Sequence, residues 1–153
     1  LSKALVTPLI KDFGLCKAID GLLEDIQMVN NTIQIDFFYG NFYEEDITYE
    51  FKLNIFRIVQ EQMNNILKHA AATEISISMV YTALDFQLRI SDNGKGFSPG
   101  DNYSRTIEDA GSGLRNLQQR AALVGAEINI DSSPGMGTII TIRLPKITEH
   151  VTQ

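Results

Sequence analysis

The sequence predicts an α/β domain, and three observations predict it. Apolar residues recur at helical spacing over 15–29, 46–69 and 114–124. Five other segments, 32–39, 74–81, 85–91, 126–131 and 138–144, alternate apolar with polar residues or are rich in β-branched ones, as strands require. The breaks between these segments carry Gly, Pro, Asn and Ser. At 153 residues the chain is long enough for one domain with a real core. Its 44% hydrophobic and 21% charged residues are those of an ordinary globule. No apolar run approaches the roughly 20 residues of a membrane-spanning helix.

Charge and cysteine content narrow the function classes. The net charge of −6 argues against a direct nucleic-acid surface, which would be basic. Any phosphate ligand must then be held by local donors and a metal rather than by a general positive field. The single cysteine, Cys16, excludes an internal disulfide and fits a reducing compartment. Its simplest role is that of a small buried hydrophobe. The sequence starts at Leu1 without a signal peptide, which reads as a piece of a longer protein.

Residues 1–13 are mostly apolar, with Pro8 among them, and read as the end of a preceding helix and a linker that would pack on a neighbouring part. The main domain is expected over 14–146 and a polar tail over 147–153. In the first helix Leu15, Ile19, Leu22, Leu23 and Ile26 form the inward stripe, and Asn30-Asn31 ends it. The longest helix, 46–69, is capped by Thr48 or Asp46 and buries Phe51, Ile55, Ile58, Val59, Met63, Ile66 and Leu67. A hairpin turns at Thr82-Ala83-Leu84. The polar stretch from Ser98 to Gly111 lacks apolar periodicity, as functional loops do. Gly125 stands where a helix C′ glycine belongs.

Three stretches carry chemistry. Asp92-Asn93-Gly94-Lys95-Gly96-Phe97 leaves a strand through two glycines, which permit φ > 0 and close backbone approach. It is either a tight turn or a nucleotide site in which Asp92 accepts from a base amino group. Glu61 and Asn65 lie one helical turn apart, with Lys68 continuing their face and His69 beside it. Asn65 offers a hard amide oxygen suited to Mg²⁺, Lys68 a point charge for phosphate, and Glu61 a proton acceptor. A solvated helix face with a hydrogen-bonding pair accounts for the same residues. Gly111-Ser112-Gly113-Leu114 opens a helix, where backbone N–H groups make either an anion site or an ordinary hinge.

In order and spacing the set resembles the ATP-binding catalytic domain of sensor histidine kinases, within the GHKL (Bergerat-fold) ATPases. The resemblance rests on Arg57 to Glu61 running into Asn64 to Ala70, on Gly111 to Leu117 with Arg120-Ala121, and on Ser133 to Thr138. It covers residues 14–145 and points to the compact subfamily paired with helix-turn-helix response regulators. Leu1 to Leu15 is similar to the end of that subfamily's dimerisation and phosphoacceptor hairpin.

The resemblance implies a two-layer sandwich, a mixed sheet with three helices on one face. It implies Mg-ATP as ligand and transfer of the γ-phosphoryl group to a histidine on a separate hairpin. By position, Asp92 binds the adenine amino group with Thr138 in support, and Asn65 holds Mg²⁺. Lys68 and His69 lie near the phosphates, and Gly94 and Gly96 flank the base. Gly111, Ser112, Gly113 and Leu114 cap the phosphates, and Glu61 takes a proton. Arg120 matches a recurring arginine, and a surface ion pair explains it equally well. Implied partners are the dimerisation domain of a homodimeric parent and a downstream response regulator. The expected place is the cytoplasmic side, in some parents beneath a membrane anchor. Two departures stand out: no phenylalanine-containing box lies between Phe97 and Gly111, and neither His69 nor His150 has a phosphoacceptor context. A chaperone- or topoisomerase-type ATPase of the same fold, or a degenerate partner-binding module, are the rival expectations.

Overall fold

The computed structural model describes residues 9–40, 47–98 and 113–145. Residues 9–13 are helical and lead into Gly14, whose φ of 90° turns the chain into α1 (Leu15–Val29). Ile10 is 1% exposed and belongs to the core, so the incoming segment packs on this domain rather than only on a neighbour. α1 buries Leu15, Ile19, Leu22 and Leu23 as its spacing predicts, together with Cys16 and Ala18. Asn30 stops it by donating both its backbone N–H and its side-chain amide to the Ile26 carbonyl.

β1 (Gln34–Tyr39) begins two residues after the predicted Thr32. The reason lies in its neighbours: Ile33 N–H bonds back to Asn30, and Gln27 Nε2 takes the Ile33 carbonyl. Those groups are therefore spent on a turn, and the first cross-strand bond is Gln34 N–H to the Thr73 carbonyl. α2 (Tyr49–Asn65) starts at Thr48, whose Oγ1 accepts the Phe51 N–H at 3.2 Å. The alternative cap, Asp46, lies outside the described residues. The helix then does not end as an α-helix. Ile66–Ala70 is wound as a single π-helical turn, closed by Ala71 in the left-handed conformation at φ 52°.

β2 (Glu74–Tyr81), β3 (Asp85–Asp92), α3 (Gly113–Leu123), β4 (Glu127–Ser132) and β5 (Thr138–Pro145) complete the chain. The sheet order is β1-β2-β3-β5-β4, with β1 parallel to β2 and every other pair antiparallel. One face carries Ile75, Ile77, Met79, Phe86, Leu88, Ile90, Ile140 and Ile142, all buried against Ile55, Ile58, Val59, Met63 and Leu117 of the helices. Burying each such side chain is worth about 1.5–3 kcal/mol. Phe51 and Phe86 meet edge-on at 5.0 Å and tie α2 to the sheet. The opposite face is polar. There Arg143 reaches Asp85 at 2.7 Å and Glu127 at 3.3 Å, bridging β5 to both its neighbours and holding the Asp85 carboxyl below its usual range. The expected two-layer α/β sandwich is what the chain forms.

The β4–β5 turn is fitted to the end of β3 by backbone contact. Gly137 has φ 76°, and a Cβ there would stand 2.0 Å from the Asp92 carbonyl oxygen. Gly135 also has positive φ, 80°, but open space around it. The pair separates strain from collision. Gly135→Ala should cost the roughly 1–2 kcal/mol of a left-handed L-residue. Gly137→Ala adds overpacking of about 1–3 kcal/mol to that. Urea denaturation of both variants checks the difference, and equal losses would show that the turn yields without disturbing Asp92.

Candidate functional site

Several of the chemistry-bearing residues, Asn65, His69, Asp92, Gly96, Leu114 and Thr138, come together where the end of α2 meets the end of β3. A cavity of about 250 Å³ opens there. Gln62, Asn65, Ile66, His69 and Ala70 form its helical wall, and Asp92, Lys95, Gly96 and Phe97 the wall after β3. Leu114 of α3 and Thr138 of β5 close it.

Asp92 is the last residue of β3 and is 6% exposed. Its Oδ1 accepts the Gly94 N–H at 2.8 Å. Burial raises its pKa above the ordinary Asp value, and the Gly94 bond opposes that only in part. The other carboxylate oxygen has no hydrogen-bond donor among the described residues, and the residue lines the cavity. Thr138 sits directly opposite Asp92 in the β3–β5 register. Ser132 Oγ gives its one proton to the Gly137 carbonyl at 3.1 Å and accepts the Phe97 N–H at 2.9 Å. Thr138 Oγ1 lies 2.8 Å from Ser132 Oγ, a contact in which either hydroxyl can donate; with the Ser132 proton on Gly137, Thr138 donates and keeps its own lone pairs free for the cavity it lines. Two acceptors stand side by side on a buried wall, an arrangement complementary to an amino group.

The loop that carries Asp92 is stitched on three sides. Lys95 N–H bonds the Ala70 carbonyl at 2.7 Å, Gly135 N–H bonds the Lys95 carbonyl at 2.7 Å, and Asn93 N–H bonds the Glu74 carbonyl at 3.2 Å. The Asn93 side chain accepts the Thr73 and Glu74 N–H groups and donates to Thr73 Oγ1. Gly94 is needed for fit, not for φ: a Cβ there would lie 2.3 Å from the Ala70 carbonyl oxygen. Gly96 does use the left-handed region, at φ 60°. Only Gly96 of the two lines the cavity.

On the helical side Asn65 and His69, four residues apart, share the face that lines the cavity, whereas Lys68 is exposed and does not line it. The π turn adds Ala70, five residues after Asn65, to the same wall. The expectation that Lys68 continues the Asn65 face does not hold for the cavity wall, where His69 takes that place. Gln62, 3% exposed, accepts the Asn65 Nδ2 amide at 3.2 Å. Glu61 lies outside the lining, half-buried, with its Oε1 3.4 Å from Asn116 Nδ2 of α3. Arg120 makes no ion pair among the described residues. Its Nη1 reaches Asn54 Oδ1 at 3.4 Å, and its buried Nε has no partner.

Gly113 opens α3 and Leu114 lines the cavity, while Gly111 and Ser112 fall outside the described residues, as does most of the loop before them. Sequence reasoning missed Gln62, Lys95, Phe97 and Ser132. Lys95 and Phe97 stood inside the hexapeptide it singled out. Ser132 and Gln62 gave no signal, being polar residues at positions that pattern alone reads as turn and helix. Among the described residues no group of three or more His, Cys, Asp or Glu is placed to hold a metal ion. None of their helices is long and apolar enough to cross a membrane.

Comparison with known proteins gives this geometry a family. Residues 52–148 match the family of histidine kinase-, DNA gyrase B- and HSP90-like ATPases. The chain is 30% identical over 137 residues to the signal transduction histidine-protein kinase/phosphatase DegS of Bacillus subtilis, covering 89% of this chain and 35% of DegS. It is 31% identical over 145 residues to the oxygen sensor histidine kinase NreB of Staphylococcus carnosus, covering 95% of this chain and 40% of NreB. The chain thus spans well under half of these relatives. Among solved structures, the mycobacterial sensor histidine kinase MprB superposes with a TM-score of 0.63 at 19% identity, covering 86% of this chain and 93% of that one. The ATP-binding domain of PrrB from Mycobacterium tuberculosis gives 0.61 at 21% identity, covering 82% and 88%. The structural matches speak to the fold, the sequence matches to descent. With its buried Asp92–Thr138 wall facing the α2 terminus, the chain belongs to the histidine kinase-, DNA gyrase B- and HSP90-like ATPase family, as an ATP-binding domain of the sensor-histidine-kinase type.

Proposed function

We propose that this domain binds Mg-ATP in the cavity and presents the γ-phosphoryl group to a histidine on another domain of the parent protein. One observation carries the ligand assignment: the paired acceptors Asp92 and Thr138, buried side by side, want the exocyclic amino group of adenine. The cavity of about 250 Å³ is smaller than the roughly 300–1,000 Å³ of whole ligand sites, so the described walls suit part of a nucleotide, its base and sugar. His69 and Lys95 line the cavity as hydrogen-bond donors for the phosphates, with Lys95 adding a positive charge, and Lys68 serves from its exposed side. Gly113 and the Leu114 amide, at the start of α3, form the phosphate cap in this reading, with Gly111 and Ser112 preceding them in sequence.

Asn65 fits a magnesium ligand. Its amide oxygen is a hard donor on the cavity wall, and a single protein oxygen suits an ion whose other ligands are phosphate oxygens and water. Held by Asn65, Mg²⁺ would supply neutralisation of the phosphate charge. Glu61, one turn earlier, is half-buried and outside the lining, beside Asn116. That suits a proton acceptor for the attacking histidine better than a nucleotide contact. The kinase assignment over a chaperone-type ATPase draws on relatives that are named as histidine kinases. In this reading the partners are the parent's own dimerisation and phosphoacceptor domain, in a homodimer on the cytoplasmic side, and a response regulator.

Asp92→Asn tests the ligand reading. The loss of a charge-assisted bond should weaken binding of a non-hydrolysable ATP analogue by about 1.5–3 kcal/mol in calorimetric titration. Unchanged affinity would remove the adenine role. The pH dependence has a defined sign. Ionised, Asp92 offers the ligand two strong acceptor oxygens, whereas protonated it turns one of them into a donor; its pKa is raised, so affinity should start to fall on acidification above the range where an ordinary Asp titrates. Asp92→Asn should lack that phase.

Glu61→Gln tests the chemistry separately. A base used only in the transition state leaves Mg-ATP affinity nearly unchanged. Transfer to a supplied phosphoacceptor hairpin should slow by roughly 10²–10⁴. Transfer at the parent rate would reduce Glu61 to a partner of Asn116.

A further inference from the structure

Gln62 is a buried polar residue on the wall of the cavity for which neither its helix nor the core has a use. It is 3% exposed, and its flanking helical neighbours Met63 and Val59 are wholly buried hydrophobes. Its Oε1 accepts Asn65 Nδ2 at 3.2 Å, one helical turn on and on the same face. Its Nε2 has no hydrogen-bond partner among the described residues, and its residual exposure is toward the cavity it lines. A buried amide in an apolar helix stripe costs free energy unless its groups are matched. Half of this one is matched by Asn65, and the other half faces the ligand space.

We infer that Gln62 is the positioning residue that fixes the Asn65 amide with its oxygen toward the cavity. The inference rests on the reading of Asn65 as the Mg²⁺ ligand. A carboxamide has two ends of nearly equal shape, one an acceptor and one a donor. Only the oxygen end can meet a cation. With Asn65 Nδ2 engaged by Gln62 Oε1, Asn65 Oδ1 is left for the cavity. Gln62 then shows its own N–H₂ group to the same space, a donor suited to a phosphate or ribose oxygen. Were both amides turned over, Asn65 would aim a donor at the ion and Gln62 an acceptor at the phosphates, and both contacts would be repulsive. The bound ligand and the pair therefore select the same orientation.

Two substitutions separate the acceptor from mere bulk. Gln62→Met keeps length and fills the wall but offers Asn65 no comparable acceptor. Gln62→Glu keeps the acceptor and cannot turn over, since an ionised carboxylate only accepts. The measurement is binding of a non-hydrolysable ATP analogue to the 153-residue chain at increasing Mg²⁺, with a parallel titration in EDTA. For Gln62→Met the Mg²⁺ concentration needed for half of the affinity gain should rise about 10–100-fold, the span for residues that orient a metal ligand. Gln62→Glu turns an acceptor toward the phosphates and should bind the analogue more weakly in EDTA, yet should reach half of its Mg²⁺ gain at no higher Mg²⁺ than the parent. Asn65→Ala, run alongside, should lose the Mg²⁺-dependent gain altogether. Parental Mg²⁺ dependence in Gln62→Met, or a Gln62→Glu that needs as much Mg²⁺ as Gln62→Met, overturns the role of Gln62 while leaving Asn65 as ligand. A full Mg²⁺ gain in Asn65→Ala overturns the metal reading and this inference with it.

Discussion

The site depends on backbone meeting backbone without side chains between. The segment after Asp92 lies against the Ala70 carbonyl on one side and the 133–137 turn on the other. A Cβ at Gly94 would stand 2.3 Å from the Ala70 oxygen, at Gly96 2.2 Å from the Ser133 oxygen, and at Gly137 2.0 Å from the Asp92 oxygen. None of these neighbours is a flexible side-chain tip that could swing aside. Three glycines from two distant parts of the chain thus set how close α2, β3 and β5 can come. That closeness puts Asp92 and Thr138 on one wall and Asn65 on the facing one. It also buries Asp92. The carboxylate then becomes a sharper acceptor for a ligand than it would be in water, because the competing solvent is gone.

The second determinant is the π turn at Ile66–Ala70. His69, four residues on, would share the Asn65 face in an α-helix as well. The wider turn also brings Ala70, five residues on, round with Asn65 and presents the Ala70 carbonyl to Lys95 N–H. Single π turns within helices recur at functional sites, where they redirect a few residues without disturbing the rest. Here the turn supplies the carbonyl on which the Asp92 loop is hung.

Much of this was legible in the sequence, and the reasons are physical. Strand and helix existence followed from periodicity, because one face of every element is buried in the same core; Leu15–Val29 and Glu74–Tyr81 fall where the pattern puts them. Thr48 was legible as a cap because a hydroxyl before an apolar stripe has a local job. Asp92 stood out through its glycines. What stayed hidden depends on partners far along the chain. β1 starts late because Gln27 takes the Ile33 carbonyl. Gly94 reads as a turn residue, yet its need comes from Ala70. The π turn leaves no periodic mark in five residues. Ile10 looked like linker because burial by a fold is not written in the segment itself. Gln62 sits on the apolar face of α2, where pattern reading expects a hydrophobe and has no account of an amide.

Burial of Asp92 links stability to function with a definite sign. Its pKa in the fold is raised above the ordinary Asp value, with burial as the leading cause. Such a group stabilises the fold below its unfolded pKa, and that contribution is lost as pH rises through the folded one. At neutral pH the ionised side chain is therefore a local cost to the empty domain, offset in part by the Gly94 N–H. The core supplies the margin, through the isoleucines of β2, β3 and β5 packed on α2. A ligand that donates to Asp92 removes the cost when it binds, so binding and stability rise together. The same pattern recurs around the cavity, where Thr138 is tied to Ser132 and Asn65 to Gln62. Each of these polar groups has one end satisfied by the protein and the other open toward the cavity among the described residues. A cavity made this way is fully satisfied only by an occupant with matching donors and acceptors, so hydrogen-bond direction counts in it as much as shape.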